Sequence, residues 1–259
     1  MKIHFYKYHG AGNDFIAIDN RNSQSFSFDF IKTISDRHLG IGADGVLVLG
    51  PGTDEYDFTL DYYNSDGHIG SLCGNGSRCA VAFAHHLQMI QNKAVFKAFD
   101  GLHYGVYTSD QDVSVTMNDV NQIHQDQEGY YLNTGSPHLV TFIDDIHHYD
   151  VYNVGKKMRN DIRFPEGTNV NFVEPYQDGI FVRTFERGVE DETLSCGTGV
   201  TACAIVHTIH QNTPDGTYRV KLYTTGGEFR VSLNKNGTHF TNIILQGPTQ
   251  LVFEGEIEI

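Results

Sequence analysis

Lys2–Lys7 and Asp14–Ile18 alternate polar and apolar residues with the two-residue period of a half-buried strand. Between Phe28 and Leu39 the period changes. Phe30, Ile31 and Ile34 fall on one helical face, behind Ser27 as N-cap, which predicts a short amphipathic helix. Val46–Leu49, Asp57–Tyr63, Asn169–Val173 and Gly179–Glu186 read as strands again. Two segments, Cys79-Ala-Val-Ala-Phe-Ala and Ala202-Cys-Ala-Ile-Val, are apolar nearly all round, and such helices are buried ones. Tyr104–Met117 and Tyr218–Leu233 alternate once more, and Leu251–Ile259 predicts a last strand.

The pattern occurs twice. Cys73-Gly-Asn-Gly returns as Cys196-Gly-Thr-Gly, 123 residues later. Gly10–Asp19 matches Gly135–Asp144 and Gly42–Leu49 matches Gly167–Glu174, both at an offset of 125. Asp100-Gly101 matches Gly226-Gly227 at an offset of 126. Four matches in one order imply two homologous α/β halves. Each is expected to be a curved, mostly antiparallel sheet around one central helix. The expected halves are 1–118 with 248–259, and 119–247. The run Gly40-Ile-Gly-Ala-Asp-Gly45 has glycine spacings of a dinucleotide fingerprint. It follows a helix and opens a strand, the reverse of that motif, and reads as a helix stop and turn.

Composition narrows the function. The net charge of −14, with no basic cluster, argues against nucleic acid or an anionic membrane as partner. No apolar run reaches the ~18 residues of a membrane span, and the amino terminus lacks a signal peptide's apolar core, so a cytoplasmic protein is expected. The four cysteines are too few for a disulfide scaffold, and their spacings do not suit a structural zinc site; no metal site is expected.

The setting of the cysteines matters more than their number. Cys73 and Cys196 each precede a helix whose first residues include glycines. Backbone N–H groups at a helix N-terminus bind anions, and their field favours a thiolate. If the copies face each other across a pseudo-twofold axis, one sulfur can take a proton from carbon while the other returns one to the opposite face. Cys79 and Cys203, inside the apolar helices, read as core.

His9-Gly-Ala-Gly-Asn-Asp-Phe15, Tyr63-Asn-Ser-Asp-Gly67, Cys73-Gly-Asn-Gly-Ser-Arg-Cys79, Ser136-Pro-His138, Phe164-Pro-Glu-Gly-Thr-Asn169, Glu186-Arg-Gly188 and Cys196-Gly-Thr-Gly199 together resemble the diaminopimelate epimerase family. The resemblance implies a pseudo-symmetric two-domain fold, no cofactor, and interconversion of LL- and meso-2,6-diaminopimelate on the route to lysine and peptidoglycan. It implies Cys73 and Cys196 as the acid/base pair, and Gly74, Asn75, Gly197 and Thr198 as the amide cradle for the reacting carboxylate. Asn13, Asn64, Asn169, Glu186 and Arg187 resemble the substrate shell, and His138 and Glu186 the modulators of the thiols. It implies a homodimer, with Phe253 where many members carry an interface tyrosine. The chain departs from the pattern at Gly45, where many members have glutamine, at Ser136, where many have asparagine, and in one extra residue between Gly188 and Thr193.

Other readings remain at this stage. A proline racemase-like enzyme shares the two-thiol logic, but its first motif usually carries histidine where Asn75 stands. A cysteine hydrolase needs one nucleophile and leaves the second, matched cysteine unexplained. A binding module without activity would not need both thiols.

Overall fold

The computed structural model describes residues 2–70 and 73–258; Ile259, the end of the expected last strand, lies outside them. The chain divides into two compact units, Met1–Val115 with Gly247–Ile259, and Thr116–Gln246. Each repeats one plan.

In the first unit the order is β1 (Lys2–Gly10), β2 (Asn13–Asp19), α1 (Phe28–Ser35), β3 (Gly45–Gly50), β4 (Phe58–Asn64), α2 (Gly74–His86), β5 (Lys93–Ala98), β6 (Gly101–Ser109) and β7 (Asp112–Thr116). The second unit follows with β8 (Ile123–Gln125), β9 (Tyr130–Asn133), β10 (Pro137–Phe142), α3 (Val151–Arg159), β11 (Asn169–Tyr176), β12 (Gly179–Glu186), β13 (Asp191–Thr193), α4 (Gly197–His210), β14 (Gly216–Thr224), β15 (Gly227–Asn236) and β16 (His239–Gly247). The last strand, β17 (Gln250–Glu258), returns to the first unit and pairs antiparallel with β1, Lys2 opposite Glu258.

Both sheets carry the same alternation of pairings. β1 and β2 are antiparallel, β2 and β3 parallel, β3 and β4 antiparallel, β4 and β5 parallel. In the second unit β9 and β10 are antiparallel, β10 and β11 parallel, β11 and β12 antiparallel, β12 and β14 parallel. The hairpins β5–β6 and β14–β15 turn at Gly101 and Gly227, the matched glycines of the two copies. The added strand β13 pairs with the far end of β12.

Each sheet curves around one helix. Cys79, Ala80, Val81, Phe83 and Ala84 of α2 are fully buried, as are Val200, Ala202, Cys203, Ala204, Ile205 and Val206 of α4. Burying so continuous an apolar surface stabilises each unit by the hydrophobic effect, ~25 cal/mol for every Å² removed from water. Burial raises the pKa of both interior thiols, Cys79 and Cys203, so neither is poised to react.

Two local expectations change. The first helix stops at Ser35 rather than Leu39, because the Asp36 carboxylate accepts the N–H groups of His38 and Leu39 and bends the chain away. The segment after it turns through Gly42, at φ 79°, into β3, so the Gly40–Gly45 run is indeed a helix stop and turn. Helix α3 had no counterpart in the sequence reading. Among the described residues no helix is long and apolar enough to cross a membrane.

Candidate active site

In the first unit Cys73 is the N-cap of α2, in extended conformation, and its sulfur accepts the N–H of Gly76 at 3.3 Å. Asn13, at the start of β2, lies beside it: Cys73 Sγ is 3.8 Å from Asn13 Oδ1, which also accepts Asn75 Nδ2 at 3.4 Å. The other end of the Asn13 amide is tied, Nδ2 donating to Asp44 Oδ2 at 2.7 Å. Asp44 belongs to a charged cluster. Arg37 pairs with Asp44 and Asp14, each at 2.7 Å, and Lys7 pairs with Asp14 at 2.7 Å. Burial pushes the Asp14 carboxyl up, but Arg37 and Lys7 outweigh it and hold it well below the usual carboxylate range.

Gly74 and Asn75 open α2 in buried positions. They are held from beneath by Arg78, fully buried, whose guanidinium donates to the Gly74 carbonyl at 3.1 Å and to Asn75 Oδ1 at 3.0 Å. Burial pushes the guanidinium down to about 10, still charged at neutral pH. Asn64 ends β4 opposite Gly45 of β3. A side chain at position 45 would meet the Tyr62 ring, 2.5 Å from an added Cβ. The ring fills the space that the family's glutamine would need.

In the second unit Cys196 is the N-cap of α4, with Thr198 Oγ1 3.5 Å from its sulfur. Gly197 and Thr198 are buried, and the Thr198 carbonyl accepts Thr134 Oγ1 at 2.8 Å. His138, on β10, and Asn169, on β11, are register partners. Asn169 Nδ2 donates to the Pro137 carbonyl at 2.9 Å, and its Oδ1 accepts the Arg187 N–H at 2.9 Å. The Arg187 side chain donates to the Glu166 carbonyl at 3.2 Å, and Glu186 Oε2 accepts Thr193 Oγ1 at 3.0 Å. The imidazole of His138 is fully buried. Burial, and then the positive charge of Arg187, depress its pKa to about 3, so it is neutral. The extra residue before Thr193 forms a tight turn, Glu190 at φ 60° with Oε1 accepting the Gly188 N–H and Arg159 Nε.

The first unit thus gathers Asn13, Cys73, Gly74 and Asn75, with Asn64 one strand away. The second gathers His138, Asn169 and Arg187 around β10–β11, and Cys196, Gly197 and Thr198 at the end of α4. Two contributors went unassigned in the sequence. Arg78 was visible as the one cation in an apolar helix. Asn171, fully buried beside His138, carried no sequence signal beyond its place in a strand. Among the described residues, no group of three or more His, Cys, Asp and Glu side chains is placed to hold a metal ion.

Comparison with known proteins agrees with this architecture. The solved structure of a phenazine biosynthesis protein of the PhzF family from Bacillus anthracis superposes with a TM-score of 0.81 over 100% of both chains, at 11% identity. A hydroxyproline epimerase from Agrobacterium vitis superposes with a TM-score of 0.72, at 14% identity, over 99% of this chain and 92% of that one. These likenesses show the fold. Sequence relatives go further. The diaminopimelate epimerase of Flavobacterium psychrophilum is 45% identical over 99% of this chain and 100% of its own length. That of Aquifex aeolicus is 37% identical over 98% of each. The family profile described as Diaminopimelate epimerase matches residues 5–123 and 130–252, so the chain belongs to the diaminopimelate epimerase family.

Proposed function

We propose that this chain interconverts LL- and meso-2,6-diaminopimelate without a cofactor, in the formation of lysine and peptidoglycan precursors. The observation that carries the reading is the repeated cysteine N-cap, Cys73 on α2 and Cys196 on α4, each followed by buried residues that open the helix. Inversion at carbon needs a base that takes the Cα proton and a separate acid that supplies one. One thiolate takes the proton and becomes a thiol. The other thiol gives its proton to the carbanion and becomes a thiolate. The enzyme ends with the two protonation states exchanged and is ready for the reverse reaction.

The amides after each cysteine, at Gly74, Asn75, Gly197 and Thr198, serve the reacting carboxylate and the charge that develops beside it. Asn13, Asn64, Asn169, Glu186 and Arg187 serve the remainder of the substrate, and His138 and Glu186 tune the thiols. A mechanism that needs two reduced thiols suits the cytoplasm, where disulfides are rare. A homodimer is supported by β17, whose Val252 and Phe253 are about half exposed.

The test is solvent deuterium. In D₂O, LL-diaminopimelate should acquire deuterium at Cα as it epimerises, while proline and hydroxyproline should not. Exchange on proline alone would move the chain to the racemase reading.

A further inference from the structure

His138 and Asn171 lie side by side on the parallel pair β10 and β11, both with no exposed surface. Three contacts fix the Asn171 amide. Thr184 Oγ1 donates to Oδ1 at 3.0 Å, and Nδ2 donates to the Leu139 carbonyl at 3.1 Å. A carbonyl oxygen only accepts, so the NH₂ end must face it. The same NH₂ group lies 3.1 Å from His138 Nδ1. An imidazole nitrogen that accepts a hydrogen bond carries no proton, and a neutral ring then carries its proton on Nε2. Nε2 is buried and meets no hydrogen-bond partner among the described residues.

We propose that Asn171 is a positioning residue that locks His138 as the Nε2–H tautomer, so that the imidazole enters the reaction as a fixed hydrogen-bond donor and not as a base. The proposal rests on the placement of His138 in the active centre. Asn171 itself is built closely into the Cys196 helix end. A Cβ added at Gly199 would meet Asn171 Oδ1 at 2.5 Å and Cys196 Sγ at 3.3 Å. A fixed donor suits a group that alternates between neutral and anionic forms, because a hydrogen bond to the anion is the stronger one. No proton leaves His138. The cysteines carry the transfer, and the lock keeps the ring from competing for it.

The tautomer can be read directly from ¹⁵N spectra of the imidazole, assigned with His138→Gln. In the wild-type protein Nδ1 should be pyridine-like and Nε2 pyrrole-like throughout pH 5–9. In Asn171→Asp a carboxylate of similar size replaces the amide and accepts from Nδ1, which should become pyrrole-like. By analogy with the groups that hydrogen-bond the free ring nitrogen of metal-bound histidines, kcat/KM should fall roughly 10- to 100-fold, with a displaced pH profile. Thr184→Val, which loses only the clamp on Oδ1, should give mixed tautomers and an intermediate loss, and it decides the matter if the first variant does not fold. A pyridine-like Nε2 in the wild type overturns the lock. So does an inverted tautomer in Asn171→Asp with unchanged kinetics. A lock present in the spectra together with wild-type turnover by His138→Gln instead overturns the placement of His138 in the active centre, and the donor role with it.

Discussion

The two cysteine-capped helix ends descend from one sequence, yet they are furnished differently. Position by position, Arg78 of α2 corresponds to Thr201 of α4. Both reach back to the carbonyl of the first helical residue, Arg78 to Gly74 and Thr201 Oγ1 to Gly197 at 2.9 Å. One end therefore rests on a buried cation and the other on a neutral hydroxyl. The neighbours differ in the same spirit. Asn13 corresponds to His138. Asp44 ties the amide of Asn13 so that its oxygen faces Cys73, whereas Asn171 ties the ring of His138 through Nδ1. The scaffold kept the backbone geometry of the helix end and let each copy choose its own charge and hydrogen-bond polarity. That freedom suits a reaction in which two like groups must hold opposite protonation states at any moment.

The largest effect tests whether both ends are needed at all. Cys73→Ala and Cys196→Ala should each abolish epimerisation, measured as conversion of LL- to meso-diaminopimelate, while the circular dichroism stays native. Full activity in either variant would leave one helix end without a chemical role.

Next comes the asymmetry itself. Arg78→Met should lower kcat/KM on the order of 100-fold, since it removes a preorganised charge beneath the Cys73 end. Thr201→Val should cost about 1 kcal/mol of stability and little activity. Equal activity losses in steady-state assays would mean that Arg78 acts only as a tether for the Gly74 carbonyl.

The histidine end has a signature in stability. His138 has its folded pKa depressed to about 3, below the ~6.5 of an unfolded histidine. The unfolded chain alone binds a proton between those values, so stability should fall as pH drops below ~6.5, by on the order of 2 kcal/mol at pH 5. Urea titrations of wild type and His138→Gln across pH 4–8 should diverge on the acid side. Parallel curves would show that the imidazole is solvated. The smallest effect concerns Cys79→Ala and Cys203→Ala, which should cost only about 1 kcal/mol each through lost packing and leave turnover unchanged.

What could be read from the sequence follows from which features are periodic or repeated. The recurring Cys-Gly phrases, the matched glycines at Gly101 and Gly227 and the apolar central helices all announce themselves in one dimension. Helix α3 did not, because only its Val151 and Gly155 are buried. Gly155 weakens the helical signal, but it is required: an added Cβ would stand 2.4 Å from Phe185 Cβ, so the helix lies directly on β12. The partner of His138 was hidden for another reason. Asn171 and Asn169 look alike in a sequence, and although Asn169 is the register partner of His138, its amide is taken by Pro137 and Arg187, so that Asn171 meets the ring nitrogen.

The pairing of β17 with β1 also bears on how the chain comes into being. The second unit is one continuous stretch, Thr116–Gln246, and every partner it needs has been synthesised by the time its last strand emerges. The first unit begins earlier but finishes last. Its opening strand awaits residues 250–258, which are synthesised after the whole of the second unit. Domains usually mature in the order of synthesis, and here that order is reversed. Released chains truncated after Gln246 should therefore carry a protease-resistant second half and a first half still open to cleavage.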